Sequence, residues 1–169
     1  MEEVTLEQLL QSRDNRQQLQ RQLLRDYPSH TLVCITIVMP GKAKRTPHTS
    51  IIAQAAVEAL QQTFTPLIAY LRERDLPTGY EIYACVKCDA REAKHVLCEI
   101  ESSHPLGRLF DMDVILPDGT PLSRQSIGHP ARRCLLCDNE VRYCMRNHTH
   151  SPEDLLEHIA HLVATYGVH

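Results

Sequence analysis

Asp111 and Asp113 stand two apart in the run Phe110-Asp-Met-Asp-Val-Ile115. Their neighbours Leu109, Phe110, Met112, Val114, Ile115 and Leu116 are apolar and partly β-branched or aromatic, which predicts a strand. Along a strand, residues two apart share a face. The two carboxylates therefore project side by side, and in a half-buried setting a proton or a cation must relieve their repulsion. A hard divalent ion such as Mg²⁺ meets that need, because it takes one or two protein carboxylates and completes its shell with waters and phosphate oxygens. The chemistry so indicated is phosphoryl or nucleotidyl transfer, with an edge strand bearing two solvated aspartates as the plain alternative.

A second constellation is Cys134-x-x-Cys137, followed by Cys144 and then His148 or His150. This spacing can close a tetrahedral structural zinc site, and an Asp138-Asn139 turn would let Cys134 and Cys137 both point inward. Reduced cysteines without metal are the alternative. Cys85-x-x-Cys88 carries less, since residues three apart on a continuing strand face opposite ways. Cys34 and Cys98 read as core fillers.

The elements that must position these groups follow from periodicity and punctuation. Thr5 and Gln8 fit a capping box, and Leu6, Leu9, Leu10, Leu19, Leu23 and Leu24 recur at helical spacing through Arg25, with Arg13, Arg16 and Arg21 on the polar side. The β-branched run 31–38 predicts a central strand buried on both faces. Pro40-Gly41 ends it, and Lys42, Lys44 and Arg45 follow in a turn suited to phosphate, although Walker A spacing is missing. Residues 50–62 predict a helix that resumes over 67–74 beyond Pro66. A second strand spans 81–87, and Asp89 caps a helix to about 102. After the Asp111 strand, Pro117-Asp-Gly-Thr120 turns the chain back as a hairpin. A cysteine-rich loop at about 128–150 and a final helix at about 151–165 complete the chain. The expectation is an α/β or α+β fold: one compact domain over 1–169, with a small mixed sheet and flanking helices.

Composition excludes several classes. The chain has 169 residues, 43% hydrophobic and 23% charged, enough for one good core. A net charge of −3, no Trp and two Phe argue against a nucleic-acid binder that must neutralise a backbone or stack bases. There is no signal-peptide pattern and no apolar run of membrane-spanning length, so a cytoplasmic protein with seven reduced or metal-bound cysteines is expected.

Four stretches resemble one family. They are Arg-Asp-Asn-Arg at 13–16, Met-Pro-Gly-Lys-Ala-Lys at 39–44, Ser-His-Pro-Leu-Gly-Arg-Leu-Phe-Asp-Met-Asp-Val at 103–114 and Gly-His-Pro-Ala-Arg-Arg-Cys-Leu-Leu-Cys-Asp at 128–138. In this order they resemble the apo-citrate lyase phosphoribosyl-dephospho-CoA transferases, also called citrate lyase holo-acyl-carrier-protein synthases. The resemblance implies a nucleotidyltransferase-like enzyme. Its donor would be 2'-(5''-triphosphoribosyl)-3'-dephospho-CoA, its acceptor a serine of the citrate lyase acyl carrier protein (the gamma subunit), and its leaving group pyrophosphate. It further implies that Asp111 and Asp113 hold Mg²⁺ and that Arg108, Lys44, Arg132 and Arg133 neutralise phosphate, with Arg13 and Arg16 as further contacts. His104 would accept the serine proton or touch phosphate. The wider polymerase-β-like superfamily shares Asp-x-Asp on a strand, but carries Gly-Ser farther ahead of it than Gly107-Arg108 lies here. Other readings are a transferase for another carrier, such as that of malonate decarboxylase, and a zinc-stabilised carrier-binding module without catalysis. The chain could also correspond to one half of a fused two-enzyme polypeptide in other settings.

Overall fold

The computed structural model describes residues 2–167. Helix α1 (Leu6–Asp26) starts at the expected capping box: the Thr5 hydroxyl accepts from the Gln8 amide, and the Gln8 side chain accepts from the Thr5 amide. Strand β1 (Thr31–Ile37) is central, as its β-branched run predicts. Helix α2 (Pro47–Phe64) follows the basic turn, capped by Thr46 with Pro47 in the first turn, where its missing N–H costs nothing.

Residues 67–74 do not resume the helix. They belong to strand β2 (Ile68–Leu76), which pairs with β3 (Gly79–Val86) across a tight Pro77-Thr78 turn. Leu71, Arg72, Glu73 and Arg74 are good helix formers, so local propensity points the wrong way. Pairing with β3 decides the matter, and the half-exposed edge position tolerates the charges. This hairpin also accounts for the second difference. The sheet, in order β2-β3-β1-β4, is antiparallel at all three pairings, where a mixed sheet was expected.

Helix α3 (Ala90–Ser103) is capped by the Asp89 carboxylate, which accepts from the Arg91 and Glu92 amides. Strand β4 (Phe110–Ile115) forms the sheet edge beside β1. Beyond it the Pro117 to Thr120 turn folds the chain back, but only Pro121 bridges to Ile115, and no return strand forms. The expected loop at 128–150 contains a short helix, α4 (Val141–Asn147), and the last helix, α5, spans Pro152–Gly167. No helix among the described residues is long and apolar enough to cross a membrane.

Register sorts the side chains to two unlike faces. Val33, Ile35, Ile82, Ala84, Val86, Phe110, Met112 and Val114 pack against α2, α3 and α5 through Ile52, Leu60, Leu97 and Ile159 in the larger core. On the other face α1 sets Leu19 and Leu23 over Leu32, Cys34, Tyr83, Cys85 and Ile115. That second face changes character along the strands. Directly opposed residues share a face, so Tyr70, Cys85, Leu32 and Ile115 make an apolar row, whereas Arg74, Glu81, Thr36 and Asp111 make a polar one.

Candidate active site and cysteine cluster

Asp111 and Asp113 sit on this second face at the edge strand, with side chains 50% and 42% exposed. Met112 between them points the other way into the core, so the alternation of β4 alone turns both carboxylates to one side. Burial, followed by the Asp111 charge beside it, pushes the Asp113 carboxyl up to about 6. Nearby cations only partly offset this. Lys94 Nζ lies 3.9 Å from Asp113 and an Arg132 guanidinium nitrogen 3.7 Å from Asp111, both beyond hydrogen-bond length.

Two charged residues of α3 hold the strand between the acids. The ammonium of Lys94 donates to the Met112 carbonyl at 2.8 Å, and the Glu101 carboxylate accepts from the Met112 amide at 3.0 Å. Both side chains are almost fully buried. Together they satisfy the free edge of β4, which would otherwise carry an unpaired amide and carbonyl. Glu101 also meets Arg132 at 3.2 Å and Arg124 at 3.4 Å. Burial raises its proton affinity, against the lowering pull of Arg132 and the Met112 amide. The Arg124 Nε is buried and donates to nothing among the described residues.

The His-Pro-Leu-Gly-Arg turn places the strand. Gly107 packs so tightly on the end of α3 that an added Cβ would lie 2.6 Å from the Glu101 carbonyl and closer still to that of Ile100. Glycine is what allows the approach. His104 caps this turn: its Nδ1 accepts from the Leu106 amide at 2.9 Å, and its ring packs on Phe110 and Tyr166. Burial lowers its proton affinity.

Two adjoining cavities meet at Glu101, Arg124 and Arg132. One, of about 260 Å³, holds Asp111, Asp113 and Lys94. The other, of about 240 Å³, is ringed by Arg108, Arg124, Arg132 and Arg133. Acidic pair and guanidinium cluster thus lie side by side, the arrangement that a metal-assisted reaction of a polyphosphate needs.

Lys44 is elsewhere. Its ammonium donates to the Met39 carbonyl at 2.8 Å, with its proton affinity lowered by burial, and it lines a more apolar cavity of about 400 Å³ beside Cys134, Cys144 and His150. Arg16 reaches the polar row through Glu81, at 3.1 Å, and Arg13 is exposed on α1. Sequence alone assigns no role to Lys94, Glu101 or Arg124. A signal existed: in α3 the buried positions are Ala93, Lys94, Leu97, Cys98 and Glu101, so two charges occupy the core phase of an amphipathic helix.

Cys134, Cys137, Cys144 and His150 converge. One ligand atom from each lies within 4.8 Å of the others, and the four could hold a metal ion such as zinc. Cys137 Sγ is 3.4 Å from both Cys144 Sγ and His150 Nε2. Burial disfavours the Cys134 thiolate, but hydrogen bonds from the Leu136 and Cys137 amides, together with those from the Cys144 and Cys137 thiols, outweigh it, so its pKa is lowered overall. His148, the alternative fourth ligand, caps α4 in a left-handed conformation and is not part of the cluster.

Acids on a strand edge, held by buried charges and faced by guanidiniums, form a group that could hold a cation beside phosphates. A family model described as apo-citrate lyase phosphoribosyl-dephospho-CoA transferase matches residues 4–166, and the chain belongs to that family. A protein of that name from Escherichia coli O1:K1 / APEC is 38% identical over 163 residues, covering 95% of this chain and 88% of that protein. The protein of the same name from Shigella flexneri serotype 5b shows the same identity and coverage. A Haemophilus influenzae relative, "Protein CitXG", is 36% identical over 166 residues. That match covers 96% of this chain but 36% of the relative, where the related segment is part of a longer polypeptide.

Proposed function

We propose that this transferase moves the phosphoribosyl-dephospho-CoA group of 2'-(5''-triphosphoribosyl)-3'-dephospho-CoA to a serine of the citrate lyase acyl carrier protein. The serine oxygen bonds to the phosphorus next to the ribose, the bond from that phosphorus to the bridging oxygen breaks, and pyrophosphate leaves with that oxygen. The hydroxyl proton passes to the surroundings. The observation that carries this reading is the juxtaposition of Asp111 and Asp113 with the cavity ringed by Arg108, Arg124, Arg132 and Arg133.

The acidic pair fits a divalent cation, since burial and mutual repulsion leave Asp113 with a raised pKa and no cationic side chain within hydrogen-bond distance of either carboxylate among the described residues. Asp111 and Asp113 would hold Mg²⁺, which when bound supplies positive charge against the triphosphate. The arginines bind and orient the phosphates and take up charge that gathers on the departing pyrophosphate. Lys94 and Glu101 keep the acids in register. His104 props the turn that enters β4, in this reading, rather than taking the serine proton. Lys44 faces the more apolar neighbouring cavity, where it can meet a part of the donor remote from the phosphates. Arg13 and Arg16 lie on the α1 side and are assigned a secondary role. Seven free cysteines suit a reducing compartment, and we place the reaction in the cytoplasm.

Intact-mass spectrometry tests the reading. Apo carrier protein incubated with this protein, donor and Mg²⁺ should gain the mass of phosphoribosyl-dephospho-CoA, and an Asp111→Asn control should leave it unmodified. A gain on a malonate decarboxylase carrier in place of the citrate lyase one would reassign the acceptor. Tight carrier binding with no mass gain, unaffected by Asp111→Asn, would leave a non-catalytic module.

A further inference from the structure

We propose that Cys134, Cys137, Cys144 and His150 bind a structural zinc ion that seats the arginine side of the active site. The metal is thereby coupled to anion binding although it touches no substrate. Only the identity of the anion rests on the function proposed above.

The geometry selects the ion. Tetrahedral bonds of about 2.3 Å to sulfur put sulfur atoms about 3.8 Å apart and sulfur and nitrogen about 3.5 Å apart. The observed separations of 3.4 Å are within reach of that with small side-chain rotations, and far beyond a disulfide bond. The Leu136 amide already points at Cys134 Sγ, at 3.4 Å, as an amide does in a cysteine knuckle that holds a thiolate. Three thiolates and one imidazole suit zinc better than Mg²⁺ or Ca²⁺, and four protein ligands leave no open coordination position, which marks a structural site.

Apart from half-buried Leu135, which packs against the larger core, the segment has little else to fold around. Between residues 128 and 150 only Cys134 and Cys144 are buried, and α4 has seven residues, too few to persist alone. Yet this segment carries Arg132 and Arg133 and braces Arg108. The Cys134 carbonyl accepts from the Arg108 guanidinium. Two residues earlier, Arg132 donates to the Arg108 carbonyl at 3.0 Å and reaches Glu101 and Asp111. Backbone bonds from Cys134 to Asn139 at 2.7 Å and from Val141 to Arg132 at 2.9 Å tie those arginines to the ligand loop. An ion joining Cys134 and Cys137 to Cys144 and His150 closes three separate stretches of chain onto this one support.

The test uses the full chain and inorganic triphosphate as probe. Elemental analysis of protein purified without added metal should find one zinc per chain, and a strong chelator should remove it. The zinc-free protein should keep its far-ultraviolet dichroism while binding triphosphate about tenfold or more weakly in calorimetry. Added Zn²⁺ should restore binding, and Mg²⁺ alone should not. Cys137→Ser should behave as the chelated protein does. Should that variant fail to fold, reversible chelation of the unaltered chain still decides the point. Absence of zinc, or unchanged triphosphate affinity after its removal, would overturn the proposal. Zinc-dependent triphosphate binding without any carrier modification would sink the proposed function and leave the coupling standing.

Discussion

Around Asp111 and Asp113 the chain is held by packing, with Phe110, Met112 and Val114 fully buried and Lys94 and Glu101 closing the strand edge from α3. Across the cavity, residues 128–150 bury only two cysteine side chains, yet supply Arg132 and Arg133. The acids thus ride on a rigid sheet, whereas two of the four arginines, Arg132 and Arg133, ride on a segment with little apolar burial of its own. A site assembled this way can lose one half without losing the other. Close-packed apolar layers fix geometry through many small contacts, whereas a coreless segment depends on a few strong directional links.

The largest effect should come from the acids. Asp111→Asn should lower the transfer rate on the order of a thousandfold or more, with a melting temperature equal to or above that of the unaltered protein, because a repulsion is removed. A matching fall in melting temperature would show that the pair serves the fold instead.

Leu97→Ala tests the other property of the sheet. Leu97 is completely buried between α3 and the sheet, so its truncation should cost about 2–5 kcal/mol in urea unfolding and be felt throughout the chain. Zinc removal should differ in kind: amide exchange should quicken across 128–150 and stay slow in β1, β3 and β4. Exchange that quickens equally everywhere would erase the contrast between the regions.

A smaller, graded effect concerns pH. With Asp113 pushed up to about 6, a proton competes with the divalent cation, so affinity for Mn²⁺ as a probe should fall as the pH drops from about 7.5 to about 5.5. The linkage has the opposite sign for the metal-free fold. A carboxyl whose folded pKa exceeds the unfolded value of about 3.9 makes its stability gain as pH falls through about 6 and has none left to make below about 4. In Asp111→Asn the Asp113 titration, followed by carboxyl NMR, should move down. The smallest change is expected from Arg13→Ala, since Arg13 is exposed on α1: transfer should stay within about threefold of the unaltered rate. A loss as large as that from Arg132→Ala would bring α1 into the donor site.

Local patterns were legible wherever one element settles its own geometry. The Thr5 capping box, the Asp89 cap, the buried run of β1 and the shared face of Asp111 and Asp113 follow from periods of 3.6 and 2 and from side chains that bond their own backbone. The three cysteines that converge were legible as spacing, whereas the choice of His150 over His148 was left open by it. Residues 67–74 were not, because their helix-forming composition is overruled by pairing with β3, a partner that local sequence does not reveal. Arg108, expected among the catalytic groups, is committed to the Cys134 carbonyl and reaches the neighbouring guanidinium cavity. Lys44 lies beside the cysteines.

By itself the sequence determined which residue types recur at which spacing: two acids on one strand face, three thiols and an imidazole at metal-binding intervals, and the motifs that identify the family. Tertiary structure decided which of these meet. It set Lys94 and Glu101, from another element, around Met112, joined Glu101 to Arg124 and Arg132, and put the coreless cysteine segment over the acids. The physical reason is range. Backbone periodicity acts over a few residues, while burial, strand pairing and charge neutralisation act through space between residues that the chain keeps far apart.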